Sequence, residues 1–231
     1  MRLNNSLFNL VALSTVGFIT PAMATSVTGS STFSGDAVVT SNTITFTSVN
    51  GPNTFVPSGA AFNTGDFVGL SGGTIQNLTM GTLPVTSFVT FNVGGGTIDF
   101  DLQSLAPGVG TPGACLSAAV GSVCTPPGSP FTLIQTAPNA VTISLTVNGI
   151  AYFAPPSSGT STATGAFTTQ DVAIGTIPAI LFQAANGGVH DSYSASFTAT
   201  PSGVVPEPAT LLLMGVGLLG AGLVARRKIA K

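Results

Sequence analysis

The chain has 231 residues and a formal net charge of −2; charged side chains make up only 5% of its residues, and hydrophobic ones 44%. All five basic residues lie near the two ends, so residues 25–205 contain six aspartates and neither lysine nor arginine. Because this segment has no cation to neutralise phosphates, nucleic-acid binding is excluded.

Residues 1–24 predict a secretory signal peptide. Arg2 supplies the positive start, residues 7–19 are mostly apolar, and Ala22-Met23-Ala24 fits the small-residue cleavage site. We expect an exported mature chain that begins at Thr25.

Alternation of apolar and polar residues dominates residues 25–204 and predicts strands with one buried face. Thirteen phenylalanines in this segment supply enough apolar side chain for a core, which argues against disorder. The alternating runs are residues 43–47, 85–93, 97–103, 141–148 and 193–200.

Turn residues between these runs predict two hairpins. One is at residues 94–96, which are all glycine, and the other is at Asn148-Gly149, a favoured two-residue hairpin loop. No stretch of residues 25–205 convincingly predicts a helix.

One-sided strands bury their apolar faces either as two sheets packed face to face or as a closed barrel. We favour an all-β fold for residues 25–204, an antiparallel, jelly-roll-like sandwich of roughly eight to twelve strands. The alternative is two small β domains, residues 25–103 and 131–204.

Residues 104–130 interrupt the alternation with many prolines and glycines and contain both cysteines. In an exported chain Cys115 and Cys124 are expected to pair. The bridge would close a short loop and stabilise the fold by roughly 2–3 kcal/mol.

The candidates for chemistry are few. Asp99 and Asp101 share one strand face about 7 Å apart, which allows a calcium site completed by a neighbouring carbonyl or Asp171; a solvated pair is the favoured alternative. His190 is the only histidine, and Asp191 beside it points to the opposite face. We predict no catalytic residue, no enzyme activity and, apart from calcium, no cofactor.

Residues 209–225 carry no charge and are followed by Arg226, Arg227 and Lys228. A helix of this length covers about 25 Å, so the run predicts a transmembrane helix. The cations are expected on the cytoplasmic side, with residues 25–204 outside.

Pro206, Glu207 and Pro208 precede this run, and the two prolines hold the only glutamate of the chain on an extended strip. Pro-Glu-Pro, a glycine-rich apolar run and an arginine cluster follow one another within residues 205–231. This combination resembles the PEP-CTERM sorting signal of exosortase substrates.

The resemblance implies recognition by a membrane-embedded exosortase, with Pro206, Glu207 and Pro208 as recognition residues and the three cations as a stop signal. It also implies release to the cell surface or exopolysaccharide matrix of a Gram-negative bacterium. We therefore expect a structural or adhesive protein of an exopolysaccharide or biofilm. The alternatives are a calcium- or carbohydrate-binding module and, less favoured, a secreted hydrolase.

Overall fold

The computed structural model describes residues 26–155, 159–169, 175–202 and 215–218. Among the described residues up to 202, three 3-10 helices span Ala60–Phe62, Gly65–Phe67 and Pro112–Leu116, and one α-helix, α1, spans Ile177–Ala185. Residues 24–203 form one compact unit, which holds all the described strands. In chain order these are β1 (Gly29–Val39), β2 (Thr43–Ser48), β3 (Gly51–Pro52), β4 (Thr54–Pro57), β5 (Gly72–Ile75), β6 (Leu78–Thr79), β7 (Val85–Val93), β8 (Gly96–Leu105), β9 (Val123–Cys124), β10 (Thr132–Ala137), β11 (Ala140–Ala154), β12 (Ser161–Thr169) and β13 (Val189–Pro201).

Eight strands close into an antiparallel barrel. Each pairs with the next in the order β12, β13, β1, β4, β5, β7, β8 and β11, and β11 pairs with β12 to complete the ring. The other strands branch from it. β2 pairs with β1 and carries β3 and β6, and β10 pairs with β11 and carries β9. The predicted sandwich is therefore wrong. Strands from both sides of residues 104–130 lie in the same barrel.

The path of β11 shows why the barrel closes. One edge of β11 pairs first with β10 and then with β8, while its other edge pairs with β12. The pairing with β8 shifts register between Asn148 and Gly149, and a side chain at Gly149 would collide with the carbonyl oxygen of Asp101. Bulges and glycines bend strands. The hairpin predicted at these two residues is wrong, because the strand continues through them.

Phenylalanine rings fill the barrel. Phe33, Phe91, Phe100, Phe167 and Phe197 are all buried. The ring centroids of Phe33 and Phe197 are 5.6 Å apart, and those of Phe100 and Phe197 are 5.0 Å apart. An eight-stranded barrel is just wide enough for its side chains to fill, so this part of the interior is a packed core.

Helix α1 connects β12 to β13 and corrects the prediction that residues 25–205 hold no helix. Pro178 lies in its first turn, where proline is favoured, and Gly187 follows its end. Good helix formers lie between them. These signals were present in the sequence, but the helix has only nine residues, and the glycines that follow it are also typical of a turn.

The predicted signal peptide, residues 1–24, lies outside the described residues, as do Pro206, Glu207 and Pro208. Of the apolar run 209–225, only residues 215–218 are described, and they are helical. Across the described ranges, no helix combines the length and apolar character needed to cross a membrane. The other residues of the predicted transmembrane helix lie outside the described residues.

Candidate functional site

Asp99 and Asp101 lie on the outer face of β8 and are held by donors from the neighbouring strands. The Thr90 hydroxyl donates to Asp99 Oδ1 at 2.6 Å. The backbone N–H of Ser87 donates to Asp101 Oδ1 at 2.7 Å, and the Tyr152 hydroxyl donates to the same oxygen at 3.1 Å. Both carboxylates are half-buried, so they are less solvated than two residues on an open wet face.

These contacts support a bulge in β7. Ser87 has a φ of 48°, a left-handed conformation that costs a residue with a side chain roughly 1–2 kcal/mol. The Gln76 side chain donates to the carbonyl oxygens of Thr86 and Ser87, each at 2.8 Å. Asp101 and Gln76 therefore hold this part of the backbone in place.

A cation at Asp99 and Asp101 would have to compete with these donors. Asp171 lies outside the described residues, and within those residues no three His, Cys, Asp or Glu side chains are grouped to bind a metal. Calcium at this pair stays a prediction. Burial raises the pKa of Tyr152, and its hydrogen bond to Asp101 raises that pKa further. The hydroxyl therefore remains a donor at neutral pH.

Cys115 and Cys124 form a disulfide, with Cα atoms 5.1 Å apart, as the sequence predicted. Cys115 lies in the helix Pro112–Leu116, and Cys124 lies in β9, which pairs with β10. The bond therefore ties this helix to β9, and the pairing of β9 with β10 connects both to the barrel.

His190 is exposed on β13, where it lies in register with Val38 of β1. Asp191 follows it and is less exposed, because successive side chains of a strand point to opposite faces. The two side chains do not share a face. The lack of a catalytic role for His190 stays a prediction.

Most outward side chains of β12, of residues 194–200 in β13 and of residues 30–34 in β1 carry hydroxyl groups, and we call this surface the hydroxyl face. Strand register places Thr164 beside Thr198 and Thr168 beside Ser194, and β1 continues each row. Its members are Thr162, Thr164, Thr168, Ser194, Ser196, Thr198, Thr200, Ser30 and Ser34. Thr32 lies between Ser30 and Ser34, but its hydroxyl oxygen is buried.

The outward positions of β12 from Thr162 to Thr168 all carry a hydroxyl except Ala166. A surface depression lies at Ala166. Thr32, Ser58, Thr168, Ser194 and Ser196 line this Ala166 depression together with Phe62. The Phe62 side chain is 60% exposed. The segment that carries Phe62 is fastened to β1, because Ser58 N–H donates to the Thr32 carbonyl at 3.0 Å and Thr32 N–H donates to Asn63 Oδ1 at 3.2 Å.

This arrangement suits an uncharged ligand with hydroxyl groups. Each serine or threonine hydroxyl can donate and accept a hydrogen bond, and Phe62 offers an apolar face beside them. The sequence predicted the wet face of β13, but not that β1 and β12 would lie on either side of it. Their adjacency depends on long-range pairing, and nothing in the sequence distinguishes Phe62 from the buried phenylalanines.

The sorting residues are identified by comparison with known families. Residues 204–228 match the family model of the PEP-CTERM protein-sorting motif. The chain carries a PEP-CTERM sorting motif. The match confirms the resemblance predicted from Pro206, Glu207, Pro208 and the cations Arg226, Arg227 and Lys228. The motif marks an exported protein that is sorted to the cell envelope or surface and processed by an exosortase.

No curated protein and no solved structure matches the chain at a significant level. The family match covers the tail alone, so the ligand of the barrel has to be argued from the barrel itself.

Proposed function

We propose that the barrel is a non-catalytic component of the extracellular polysaccharide matrix of a Gram-negative bacterium, and that its hydroxyl face binds a neutral polysaccharide. The observation that supports this is the Ala166 depression, where an exposed phenylalanine lies beside a set of hydroxyl groups. A sugar ring has an apolar face to pack on Phe62 and hydroxyls to exchange hydrogen bonds with the serines and threonines. Export by the PEP-CTERM motif brings the barrel to such a polymer.

Charge favours a neutral polymer over an acidic one. Residues 25–205 contain six aspartates and no lysine or arginine, so the barrel repels an anionic chain. The described members of the hydroxyl face carry no charge, so a neutral chain can lie on it without desolvating an ion.

Affinity electrophoresis through gels that contain a polysaccharide tests the proposal. The polymers are the purified exopolysaccharide of the host, neutral dextran and anionic alginate. We expect retardation by a neutral polymer and none by alginate. Phe62→Ala should weaken binding by about tenfold, because one aromatic contact at the centre of a site is worth roughly 1–2 kcal/mol.

Phe182→Ala is the matched control, because Phe182 is 72% exposed and lies on α1, outside the Ala166 depression. Its binding should equal that of the unchanged protein. Equal binding by Phe62→Ala, or retardation by alginate alone, would contradict the proposal.

We also propose that the exosortase cuts the tail near Pro206, Glu207 and Pro208. The Pro-Glu-Pro sequence supports this, because proline lacks a backbone N–H and disfavours helix at the residue before it, so we expect Glu207 in an extended segment that an enzyme can bind. Mass spectrometry of the mature C-terminus in the host should find an end close to these residues. Glu207→Ala should leave the uncut chain in the cell envelope; normal release of that variant would rule out Glu207 as a recognition residue.

A further inference from the structure

We propose that the end of the barrel under α1 binds a small, uncharged, apolar molecule. A pocket of about 170 Å³ lies there between α1 and residues 126–129. Buried apolar side chains form its wall, among them Val39, Phe131, Leu133, Ile143, Ile180 and Val189. None of these residues belongs to the hydroxyl face, so this pocket is a second, separate site.

The size of the pocket indicates the size of the ligand. Protein interiors contain few voids larger than a water molecule, and an unfilled void lowers stability. An engineered cavity of about 150 Å³ lined by leucine, isoleucine and phenylalanine stays dry and binds benzene. The pocket under α1 has a similar volume and a mainly apolar lining that also includes Thr40, Ser41 and Ser129, and its size therefore fits a ligand of one or two rings.

The pocket also has room to extend into the barrel. A smaller void of about 30 Å³ shares Val39, Phe131 and Ile143 with it and reaches Phe167 and Tyr193. A ligand with a short apolar substituent can direct that substituent toward this void.

The surroundings of the pocket exclude a charged ligand. Its polar lining residues are Thr40, Ser41 and Ser129, which can exchange hydrogen bonds but cannot neutralise a charge. Residues 25–205 contain no lysine or arginine. A carboxylate in this pocket would lose its hydration without gaining a cation, which is strongly unfavourable.

Helix α1 forms a preformed wall of the pocket, because it is fastened at both ends. At its start, Ile177 N–H donates to Gln135 Oε1 at 2.9 Å. At its end, Ser41 N–H donates to the Ala184 carbonyl at 3.2 Å. Leu181 and Ala184 line the pocket, whereas Ala185, one residue further on, is exposed.

Indole is a suitable probe, because the chain contains no tryptophan and indole emission can be excited beyond the tyrosine band. Indole should bind the full-length protein with a shift of its emission to shorter wavelength. Ala184→Phe places a ring in the pocket and should weaken binding by at least about tenfold. Ala185→Phe adds the same ring on the solvent side and should bind as the unchanged protein does. Both variants keep the apolar tail, so indole bound there contributes equally.

Indole-3-acetate tests the charge argument and should bind at least about tenfold more weakly than indole. Leu181→Ala enlarges the pocket and should bind naphthalene about threefold more tightly, which keeps the test open if Ala184→Phe fails to fold. Circular dichroism checks folding of each variant. The proposal is overturned if indole does not bind, if Ala184→Phe folds and binds it unchanged, if indole-3-acetate binds equally well, or if Leu181→Ala leaves naphthalene binding unchanged.

Discussion

Single side chains join neighbouring strands on the outside of the barrel. Asp101 belongs to β8, and it accepts hydrogen bonds from Ser87 of β7 and from Tyr152 of β11. One carboxylate therefore bridges three adjacent strands. A hydrogen bond to a charged acceptor contributes roughly 1.5–3 kcal/mol to stability. Contact with water lowers that contribution, and Asp101 is only half-buried.

Replacing Asp101 tests that structural role against calcium binding. Asp101→Ala leaves the Ser87 N–H and the Tyr152 hydroxyl without their acceptor, so it should lower the free energy of unfolding by about 1–2 kcal/mol. Asp101→Asn keeps an acceptor oxygen and should cost less than half as much. For each variant, urea unfolding should give the same loss of unfolding free energy in EDTA as in millimolar Ca²⁺. A calcium-dependent stabilisation of the unchanged protein that disappears in Asp101→Ala would instead establish the calcium site.

Part of this cluster was predictable from the sequence. Alternation placed Asp99 and Asp101 on one face, because strand side chains repeat with a period of two. The contribution of Ser87 was not predictable, since it depends on a bulge and on a positive φ. Serine carries no signal for that conformation, which glycine or asparagine would have shown.

Among the elements, α1 depends on one buried side chain. Gln135 of β10 is fully buried and makes four hydrogen bonds. The two hydrogens of its Nε2 are shared among three carbonyl oxygens, that of Ala137 at 2.7 Å and those of Ala140 and Gly175 at 3.2 Å, and its Oε1 accepts from Ile177 N–H. The N-terminal N–H groups of a helix have no partner within the helix, and here a glutamine from another element supplies one.

Removing the Gln135 side chain should destabilise α1 more than the strands of the barrel. Gln135→Ala leaves several buried backbone groups unpaired, so we expect a loss of about 2–4 kcal/mol of unfolding free energy. Hydrogen exchange followed by mass spectrometry should show that Gln135→Ala increases the exchange rate more in α1 than in β7 or β8. Gln103→Ala is the control, since Gln103 is exposed on β8, and should change neither quantity. Protection of α1 equal to that of the unchanged protein would contradict this role.

Strands were easier to predict than the connections between them. The turn at residues 94–96 joins β7 to β8 as predicted, with Val93 opposite Gly96. Asn148-Gly149 carries the same kind of signal but lies within β11. Local turn preference was overridden there, because pairing with both β8 and β12 holds the strand extended.

For the molecule as a whole, the choice between sandwich and barrel was not determined by the alternation. Both folds need strands with one buried face; what distinguishes them is which strands pair. Closure also depends on glycines that face aromatic rings across the sheet, as Gly165 faces Phe197 and Gly73 faces Phe55. A Cβ at Gly165 would lie 2.5 Å from Cζ of Phe197. Such pairs are recognisable only once the register is known.

The charge distribution gives the whole barrel a simple response to alkaline pH. Residues 25–205 contain no lysine or arginine, and both cysteines are in the disulfide. Above pH of about 9, tyrosines are therefore the side chains of this segment that titrate. Tyr193 is 3% exposed and its hydroxyl has no hydrogen-bond partner among the described residues. Burial raises the pKa of Tyr193, and the negative charge of Asp36 raises it further.

A tyrosine pKa that is higher in the folded than in the unfolded state fixes the sign of the pH dependence. The stabilisation is complete below the unfolded pKa of about 10 and is lost as the pH rises toward the folded pKa. Tyr193→Phe should therefore reduce the alkaline loss of stability. At neutral pH it should be neutral or stabilising by up to about 1 kcal/mol, because it removes a buried hydroxyl without a partner.

Tyr152→Phe should behave in the opposite way at neutral pH, since it removes the hydroxyl that donates to Asp101, and should cost about 1 kcal/mol. Urea unfolding of the three proteins from pH 7 to about 11 separates the two tyrosines. An alkaline decline as steep in Tyr193→Phe as in the unchanged protein would show that ionisation of this buried ring does not control the barrel's stability. The alkaline loss of stability would then have to come from Tyr152, because its raised pKa also makes the folded state less stable as the pH rises.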